Sequence, residues 1–157
     1  MNRNMRLRIM YLSVCMVLLF GCATNSSGRS NHIEFMEIPI DGDVWTFGDK
    51  LVHKGYSFYA EDTTYQQLIY YGSYLNKQAT IRLDYDESSK NIISARVIFN
   101  EDIPNVTALI NEYTEKYGKC EIESDGMSVY YSWKVNGGRL VINTVSSPIL
   151  AIEYYKE

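Results

Sequence analysis

Apolar residues recur at helical spacing in two segments of the chain, of which the first is 43–54. Its apolar positions are Val44, Phe47 and Leu51. Residues three or four positions apart lie on one face of a helix. Asp41 and Asp43 are candidate N-caps, because a carboxylate can accept hydrogen bonds from the free N–H groups of a first turn. Gly55 is a typical C-terminal stop, so the pattern predicts an amphipathic helix over 43–54.

The second segment of helical spacing is 103–117. Its apolar stripe consists of Val106, Leu109, Ile110, Tyr113 and Tyr117. Asp102 is a candidate N-cap, and Pro104 would sit in the first turn, where the missing N–H of proline has no intrahelical partner to lose. Gly118 follows the last apolar residue, and a helix over 103–117 is therefore predicted.

Elsewhere the period of the apolar residues changes to two, which is typical of strands. Strands are predicted at 57–60, 68–75, 79–85 and 92–99 after the first helix, and at 119–124, 128–135, 139–145 and 149–155 after the second. The apolar face of 92–99 is predicted to consist of Ile93, Ala95, Val97 and Phe99. The later strands are separated by Asp125-Gly126, Asn136-Gly137-Gly138 and Ser146-Ser147-Pro148. The first two are turn sequences that tight hairpins favour, so the second half is predicted to be a meander.

The order of these elements predicts the fold class. Each helix is followed by a glycine and four strands, so the chain reads as two repeats, 38–100 and 101–157. Elements of this kind bury their apolar sides best as two layers. We therefore expect a single α+β domain over 33–157, in which the two helix-plus-four-strand repeats form one antiparallel sheet with both helices on one face.

The N-terminus has the composition of a secretory signal. Arg3, Arg6 and Arg8 precede an apolar run over 9–20, and no acidic residue occurs there. A run of this length is too short for a bilayer core of about 30 Å but suits the apolar region of a signal peptide. A signal peptide over 1–21 is the interpretation we favour, with an ordinary secretory peptide and a membrane anchor as the alternatives.

The run ends in Leu19-Phe20-Gly21-Cys22, which resembles the lipobox of bacterial lipoproteins. The resemblance implies diacylglycerol on the sulfur of Cys22, cleavage after Gly21 and acylation of the new amine. Stable anchoring takes at least two acyl chains, which this modification supplies. Small polar residues follow, so 22–32 is expected to be a flexible tether. Because residue 23 is Ala and not Asp, we expect the periplasmic face of the outer membrane.

Charge and cysteine content narrow the possible partners. The whole chain has a formal charge of −4, and removing the three arginines of the signal leaves −7. Nucleic-acid binding needs clustered Lys and Arg, so no nucleic-acid partner is expected. Of the three cysteines, one lies in the signal and one carries the lipid, which leaves Cys120 without an intramolecular partner.

The sequence carries no recognisable catalytic or metal-binding motif. The two histidines, His32 and His53, are not spaced for a metal site, and no cofactor is expected. Cys120 lacks the surroundings of a nucleophile and is interpreted as a packed thiol. Acidic pairs such as Asp84 and Asp86 fall at strand ends and turns, where carboxylates are mostly solvated. We therefore expect no enzymatic activity and assign no catalytic residue.

The strand face opposite the helices is the strongest candidate for function. If Trp133 and its alternate neighbours face the helices, the other side presents a set of Tyr, Arg and Lys residues. This candidate partner-binding face consists of Arg82, Arg96, Tyr130, Lys134 and Tyr155. Tyr and Arg are favoured in binding hot spots. Three interpretations stay open: an ordinary solvated face, a protein-binding face and a sugar-stacking face.

The tandem pattern resembles the architecture of the β-lactamase-inhibitor-protein-like fold, and one unit of it is similar to outer-membrane-assembly lipoproteins of the SmpA/OmlA type. The opening Ile-Pro-Ile-Asp-Gly at 38–42 also resembles a group of small bacterial lipoproteins of unknown function, which share a helix end like that formed here by Lys50, Leu51, Lys54, Gly55 and Tyr56. Because an open sheet face that bears Tyr and Arg suits protein recognition, we expect a tethered module that binds an envelope protein, including as an inhibitor. The alternatives are an assembly or structural lipoprotein of the envelope and a small-ligand or glycan-binding domain.

Overall fold

The computed structural model describes residues 32–99, 105–145 and 150–157. Within these ranges the two helices are α1 (Val44–His53) and α2 (Val106–Tyr117). The strands are β1 (Glu34–Phe35), β2 (Ile38–Pro39), β3 (Ser57–Asp62), β4 (Gln67–Tyr74), β5 (Lys77–Tyr85), β6 (Ile92–Phe99), β7 (Glu121–Ser124), β8 (Ser128–Val135), β9 (Gly138–Val145) and β10 (Leu150–Lys156). All eight predicted strands are present, and their ends differ from the predicted ones by at most two residues.

Eight of the strands form one antiparallel sheet in the order β3-β4-β5-β6-β10-β9-β8-β7. The pairing of β6 with β10 joins the first four of these strands to the last four. The outermost strands of this sheet are β3 and β7, while β1 and β2 form a separate two-stranded hairpin. An α+β fold with two helices and a large antiparallel sheet, as the sequence predicted, is therefore confirmed.

The hydrophobic core lies on one face of the sheet, which we call the helix face. The register aligns its strand residues in rows; one row contains Leu83, Ala95, Tyr154, Leu140 and Trp133. The buried residues Phe47 and Leu51 of α1, and Leu109 and Tyr113 of α2, belong to the same core as these strand residues. Because successive residues of a strand point to opposite faces, one set of side chains packs against the helices and the other set lies on the opposite face of the sheet.

The two helices begin differently from one another. Asp43 caps α1, with its side chain accepting a hydrogen bond from the Thr46 N–H at 2.8 Å, as predicted. The prediction that the second helix begins at 103 is wrong, because α2 begins at Val106. Its N-cap is Asn105, whose side chain accepts from the Ala108 N–H at 3.1 Å. An asparagine tolerates the left-handed backbone found there, with φ of 65°.

The predicted inward face of β6 is wrong at one position. Ile93 is 44% exposed, whereas its neighbour Ile92 is 1% exposed and joins the core. The register between β5 and β6 shifts at this point, so that Tyr85 pairs with Ile92 and Ile93 is skipped. An irregularity of this kind reverses the alternation locally, which a strict period of two cannot show.

The β1–β2 hairpin was not predicted from the sequence. Its strands have two residues each, and its turn residues Met36 and Glu37 both have positive φ. Strands this short carry no measurable period. The hairpin places the ring of Phe35 5.1 Å from that of Tyr154 and 5.6 Å from that of Tyr74, so it extends the core on the helix face.

Several predicted features lie outside the described residues. They are the signal peptide 1–21, Cys22, nearly all of the tether 22–32, Asp102, Pro104 and the turn at 146–148. Within residues 32–99, 105–145 and 150–157, no helix is long and apolar enough to cross a membrane.

Candidate binding face

The five residues predicted to bind a partner lie on the sheet face opposite the core, which we call the polar face. Arg82 pairs with Arg96 across β5 and β6, and Tyr155 pairs with Ser94 and Arg139 on either side of β10. Tyr130 and Lys134 lie on β8, in phase with them. The described helices and the hairpin contact the other face, through the core residues.

The centre of the polar face is an ionic cluster around Glu153. Its carboxylate lies 3.1 Å from Nε of Arg96 and accepts a hydrogen bond from the Tyr155 hydroxyl. Nε of Arg96 is buried and has no aligned hydrogen-bond acceptor, so this contact is an ion pair without hydrogen-bond geometry. The guanidinium of Arg139 lies 5.5 Å from the centre of the Tyr155 ring. Arg96 and Tyr155 are therefore already engaged within the sheet.

Asp84 extends this cluster toward β4. One of its oxygens accepts from the side-chain amide of Gln67 at 2.6 Å, and the other accepts from the Ser94 hydroxyl. Nη2 of Arg96 lies 3.9 Å from the same carboxylate. Gln67 and Ser94 are buried although they lie on the polar face. Side chains of β4, β5, β6 and β10 are thus linked by polar contacts, which strengthen one another where water is excluded.

The pKa shifts in this cluster follow from burial and charge. Burial by itself lowers the pKa of Arg96, but the negative charges of Glu153 and Asp84 outweigh it, so the pKa is raised. For Tyr155, burial and the hydrogen bond to Glu153 together raise the pKa to about 12. Both groups therefore keep their protons at neutral pH, Arg96 as a cation and Tyr155 as a neutral donor.

Arg82 differs from Arg96 although the two lie side by side. Its Nε is buried and makes no hydrogen bond. Among the described residues, no carboxylate forms an ion pair with it. Its neighbour on the other side is Ile69, which offers no charge. Arg82 is therefore the arginine of the predicted set whose charge no described carboxylate balances, and its side chain is partly exposed.

The two residues of β8 lie toward the other end of the face. The Tyr130 hydroxyl donates to Asp125 at 3.0 Å, across the turn that precedes this strand. Lys134 is exposed and forms no ion pair with a described residue. The five predicted residues therefore lie on one face but differ in their contacts. Arg96, Tyr130 and Tyr155 form ion pairs or hydrogen bonds with other described residues. Arg82 and Lys134 form no ion pair with a described residue.

A second feature borders the polar face at β3, and the sequence did not reveal it. The five exposed aromatic residues of the described chain lie on α1, β3, β4 and the turn between these strands; they are Trp45, Phe58, Tyr59, Tyr65 and Tyr71. We call this cluster the aromatic edge. The Tyr59 ring lies 4.8 Å from the Tyr71 ring, and the Trp45 ring lies 5.7 Å from the Phe58 ring.

Tyr71 connects the aromatic edge to the polar face. It lies two residues from Ile69, the neighbour of Arg82, and so shares the polar face with that arginine. Tyr59, which is 63% exposed, lies in the register shift of β3, and its ring is tilted by 49° against that of Tyr71. The density of aromatic residues over 56–74 was a visible signal, but their exposure depends on β3 being an outermost strand. The position of β3 depends on the order of the strands in the sheet, which local sequence patterns do not show.

The remaining chemistry of the described residues is sparse. No group of three or more His, Cys, Asp and Glu side chains in those ranges is arranged to hold a metal ion. The thiol of Cys120 is free and partly buried against the core, in agreement with its interpretation as a packed residue.

Comparison with protein-family models, with curated proteins and with solved structures finds no match to this chain.

Proposed function

We propose that this protein is a non-catalytic, lipid-tethered module of the cell envelope that binds a protein partner through its polar face. One observation carries the proposal: Arg82, which forms no ion pair with a described residue, shares the polar face with the exposed Tyr71, whose ring contacts that of Tyr59. Exposed Tyr and unpaired Arg side chains are the residue types that dominate binding energy in protein interfaces. The contact would therefore centre on the half of the face nearest β3.

The size of the face suits such a contact. Eight strands about 4.8 Å apart span roughly 34 Å, and three rows of side chains extend about 20 Å along the strands. The product is roughly 700 Å², close to the ~800 Å² that each partner contributes to a stable interface. A carboxylate of the partner opposite Arg82 would balance the charge of this partly exposed residue, and the Tyr rings would supply apolar contact at low entropic cost.

The internal organisation we propose is a tandem repeat, with units 38–100 and 101–157. Two features support it. The pairing of β6 with β10 divides the sheet into two sets of four strands, and each set of four follows one helix. Its resemblance to the β-lactamase-inhibitor-protein-like architecture would make a protein-binding sheet face the natural functional surface.

The anchor we propose is lipid on Cys22, with the domain held at the periplasmic face of the outer membrane. The support is the pattern of charge, apolar run and lipobox in residues 1–22. Labelling of cells with a palmitate analogue should mark the protein, and the Cys22→Ser variant should lose the label and leave the membrane fraction. Retention of the label by this variant would contradict the assignment.

The binding proposal is tested by cross-linking in intact cells, with the full-length lipidated protein as bait. Two double variants compare the ends of the polar face: Arg82→Gln with Tyr71→Ser, and Tyr130→Phe with Lys134→Gln. Lys50→Gln, on the exposed side of α1, is the control. We expect one envelope protein to be captured by the wild type and by Lys50→Gln, and to be lost with the Arg82 variant.

Each other result has a defined meaning. Loss only with the Lys134 variant would move the contact to the far half of the face. Capture by all variants would exclude the polar face as the binding surface. Normal folding of each variant is checked by circular dichroism, so that loss of capture reports the surface and not the fold.

A further inference from the structure

Part of the aromatic edge lies outside the polar face. Phe58 pairs with the buried Tyr70 and so lies on the helix face, where its ring centre is 5.7 Å from that of Trp45 on α1. Val52 follows Trp45 by two helical turns and lies on the same side of α1. Tyr65 lies in the turn between β3 and β4. All but Tyr70 are exposed, and we call these four exposed residues the apolar rim.

The start of α1 and the β3–β4 turn lie at the same end of the sheet. The loop between β5 and β6 contacts the first of them, because the Val44 N–H donates to the Lys90 carbonyl at 2.9 Å. The adjoining end of β5 contacts the second, because the Tyr85 N–H donates to the Gln66 carbonyl at 3.0 Å. The tryptophan and the tyrosine of the apolar rim follow and precede these contacts directly in the chain, so both belong to this end.

The described chain also begins at this end. A ring nitrogen of His32 lies 3.4 Å from a carboxylate oxygen of Asp41. The next residue, Gly42, accepts a hydrogen bond from the Ile92 N–H at 2.9 Å, at the beginning of β6. The chain that connects the domain to Cys22 therefore joins it at the end of the sheet that carries the apolar rim.

The connection to the proposed lipid anchor is short. Residues 22–31 precede His32, and ten residues reach at most about 35 Å when fully extended. A tethered domain meets its surface at a high effective concentration, so a small contact area is sufficient for binding. Other exposed apolar residues are less well placed: Leu75 lies at the opposite end of β4, and Ile122 lies on the opposite outermost strand.

The chemistry of the apolar rim suits the headgroup layer of a bilayer. Trp and Tyr have an apolar ring and a polar tip, and they are enriched where a membrane meets water. The register shift in β3 interrupts the regular edge that an added strand of another protein would need. Asp49 and Glu61 are exposed beside the rim, so their charges favour zwitterionic over anionic headgroups.

We propose that the apolar rim binds the headgroup layer of a zwitterionic bilayer, with the β3 edge of the sheet toward the lipid. This inference rests on the proposed lipid anchor at Cys22. The rings of Trp45 and Tyr65 enter the headgroup layer, and Phe58 and Val52 add apolar area. Because the sheet then meets the membrane by an edge, its polar face stays accessible to a protein partner.

The two tryptophans of the chain provide the measurement. Trp45 is 41% exposed in the apolar rim, whereas Trp133 is 1% exposed in the core. The full-length lipidated protein is reconstituted into vesicles of phosphatidylethanolamine and phosphatidylcholine, with or without bromine near the headgroup end of the acyl chains. Bromine quenches a tryptophan that contacts it. We expect brominated lipid to quench the wild type, and Trp45→Phe to abolish the quenching and retain the emission of Trp133.

Variants of the other rim residues test the contact itself. Tyr65→Ser and Phe58→Ser should each reduce the quenching of Trp45, because each removes apolar area from the contact. Ile122→Ser is the matched control, since Ile122 is 64% exposed and Tyr65 is 70% exposed, and it should leave the quenching unchanged. The emission of the buried Trp133 checks the fold of each variant. Added phosphatidylglycerol should reduce the quenching, because its charge is repelled by the neighbouring carboxylates.

Flotation of the vesicles separates this inference from the anchor on which it rests. Protein that does not float with the vesicles would overturn the anchor and the inference together. Protein that floats without being quenched by brominated lipid would overturn the inference and leave the anchor standing. Equal effects of Tyr65→Ser and Ile122→Ser, or stronger quenching on anionic vesicles, would overturn it as well. Loss of the captured envelope protein with Tyr65→Ser, without lipid quenching of the wild type, would assign the rim to that protein instead.

Discussion

The two faces of the sheet are held by different forces. On the helix face, buried apolar side chains from every layer form one continuous core. On the polar face, Asp84, Arg96 and Glu153 hold neighbouring strands together through charge and hydrogen bonds. Apolar burial is non-directional and grows with area, whereas ionic contacts depend on the partner atom being present. The helix face therefore carries most of the stability, and the polar face can present unpaired groups such as Arg82.

The largest effect should follow from a truncation in the core. Trp133 is buried, its indole N–H donates to the Gly118 carbonyl at 3.1 Å, and its ring lies edge-on to Tyr113. Trp133→Ala should lower the free energy of unfolding by about 3–5 kcal/mol, since it leaves a cavity. Urea denaturation measures this. Lys134→Ala, one residue away on the polar face, should change it by less than about 0.5 kcal/mol. Similar losses for both variants would contradict the division between the faces.

A smaller loss in the free energy of unfolding should follow from a substitution at Gly48, where α1 lies close to the sheet. Gly48 is buried against Tyr70, and a Cβ atom at this position would overlap the tyrosine hydroxyl. Gly→Ala inside a helix ordinarily stabilises by about 1 kcal/mol. Here, Gly48→Ala should instead destabilise by about 1–3 kcal/mol because the packed ring must move.

The Tyr70→Phe background provides the control for this substitution. Phenylalanine lacks the hydroxyl that overlaps most, so the penalty of Gly48→Ala should be smaller in that background. A thermodynamic cycle of the four proteins measures the coupling. An unchanged penalty would show that the loss does not arise from this contact.

Substitutions on the polar face should lower the free energy of unfolding by less, and the effect should differ between Glu153 and Arg82. Glu153 is 12% exposed at its side chain and pairs with Arg96. Glu153→Gln should lower the free energy of unfolding by about 1–3 kcal/mol, because Arg96 loses its main counter-charge. Arg82→Gln should be nearly neutral, since no pair is broken, and should instead affect partner capture. Urea midpoints of the two variants, measured at low and high salt, test this difference. Equal losses in the free energy of unfolding for the two variants would contradict it.

The smallest expected effect is a dependence on alkaline pH. The pKa of Tyr155 is raised from 10 to about 12 in the folded chain. A raised pKa means that the folded state holds the proton more tightly, so the stabilisation is complete below pH 10 and is lost as pH rises toward 12. Tyr155→Phe should therefore show a shallower loss of stability between pH 10 and about 12 than the wild type. Because Tyr155 is only partly buried, screening by solvent keeps the difference small.

The same pH series applied to Tyr70→Phe extends the comparison to the helix face. The pKa of Tyr70 is also raised to about 12, chiefly by burial. Its alkaline sensitivity should resemble that of Tyr155, because burial is the largest cause of both pKa shifts and desolvation is not screened by ions. Urea midpoints at each pH, measured at low and high salt, give both slopes, and a strong salt dependence of either slope would contradict the assigned cause.

Sequence reasoning placed the elements better than it placed their partners. The period of two was sufficient to put Arg82, Arg96, Tyr130, Lys134 and Tyr155 on one face. It failed at Ile93, where a local register shift reverses the alternation. It also missed the β1–β2 hairpin and the start of α2 at Val106, because two-residue strands and a left-handed asparagine cap leave no periodic signal.

By itself, the sequence determined the existence of the two described helices, the strands of the large sheet and, except at Ile93, the predicted faces of those strands, because helical and strand periods are local consequences of backbone geometry. It also carried the signal and lipobox pattern on which the proposed tether rests. Only the tertiary structure decided that β3 is an outermost strand that exposes its aromatic residues, that Arg96 is paired while Arg82 is not, and that the apolar rim lies at the end of the sheet where the described chain begins. Those features depend on the order of strands across the sheet, which joins residues far apart in the chain.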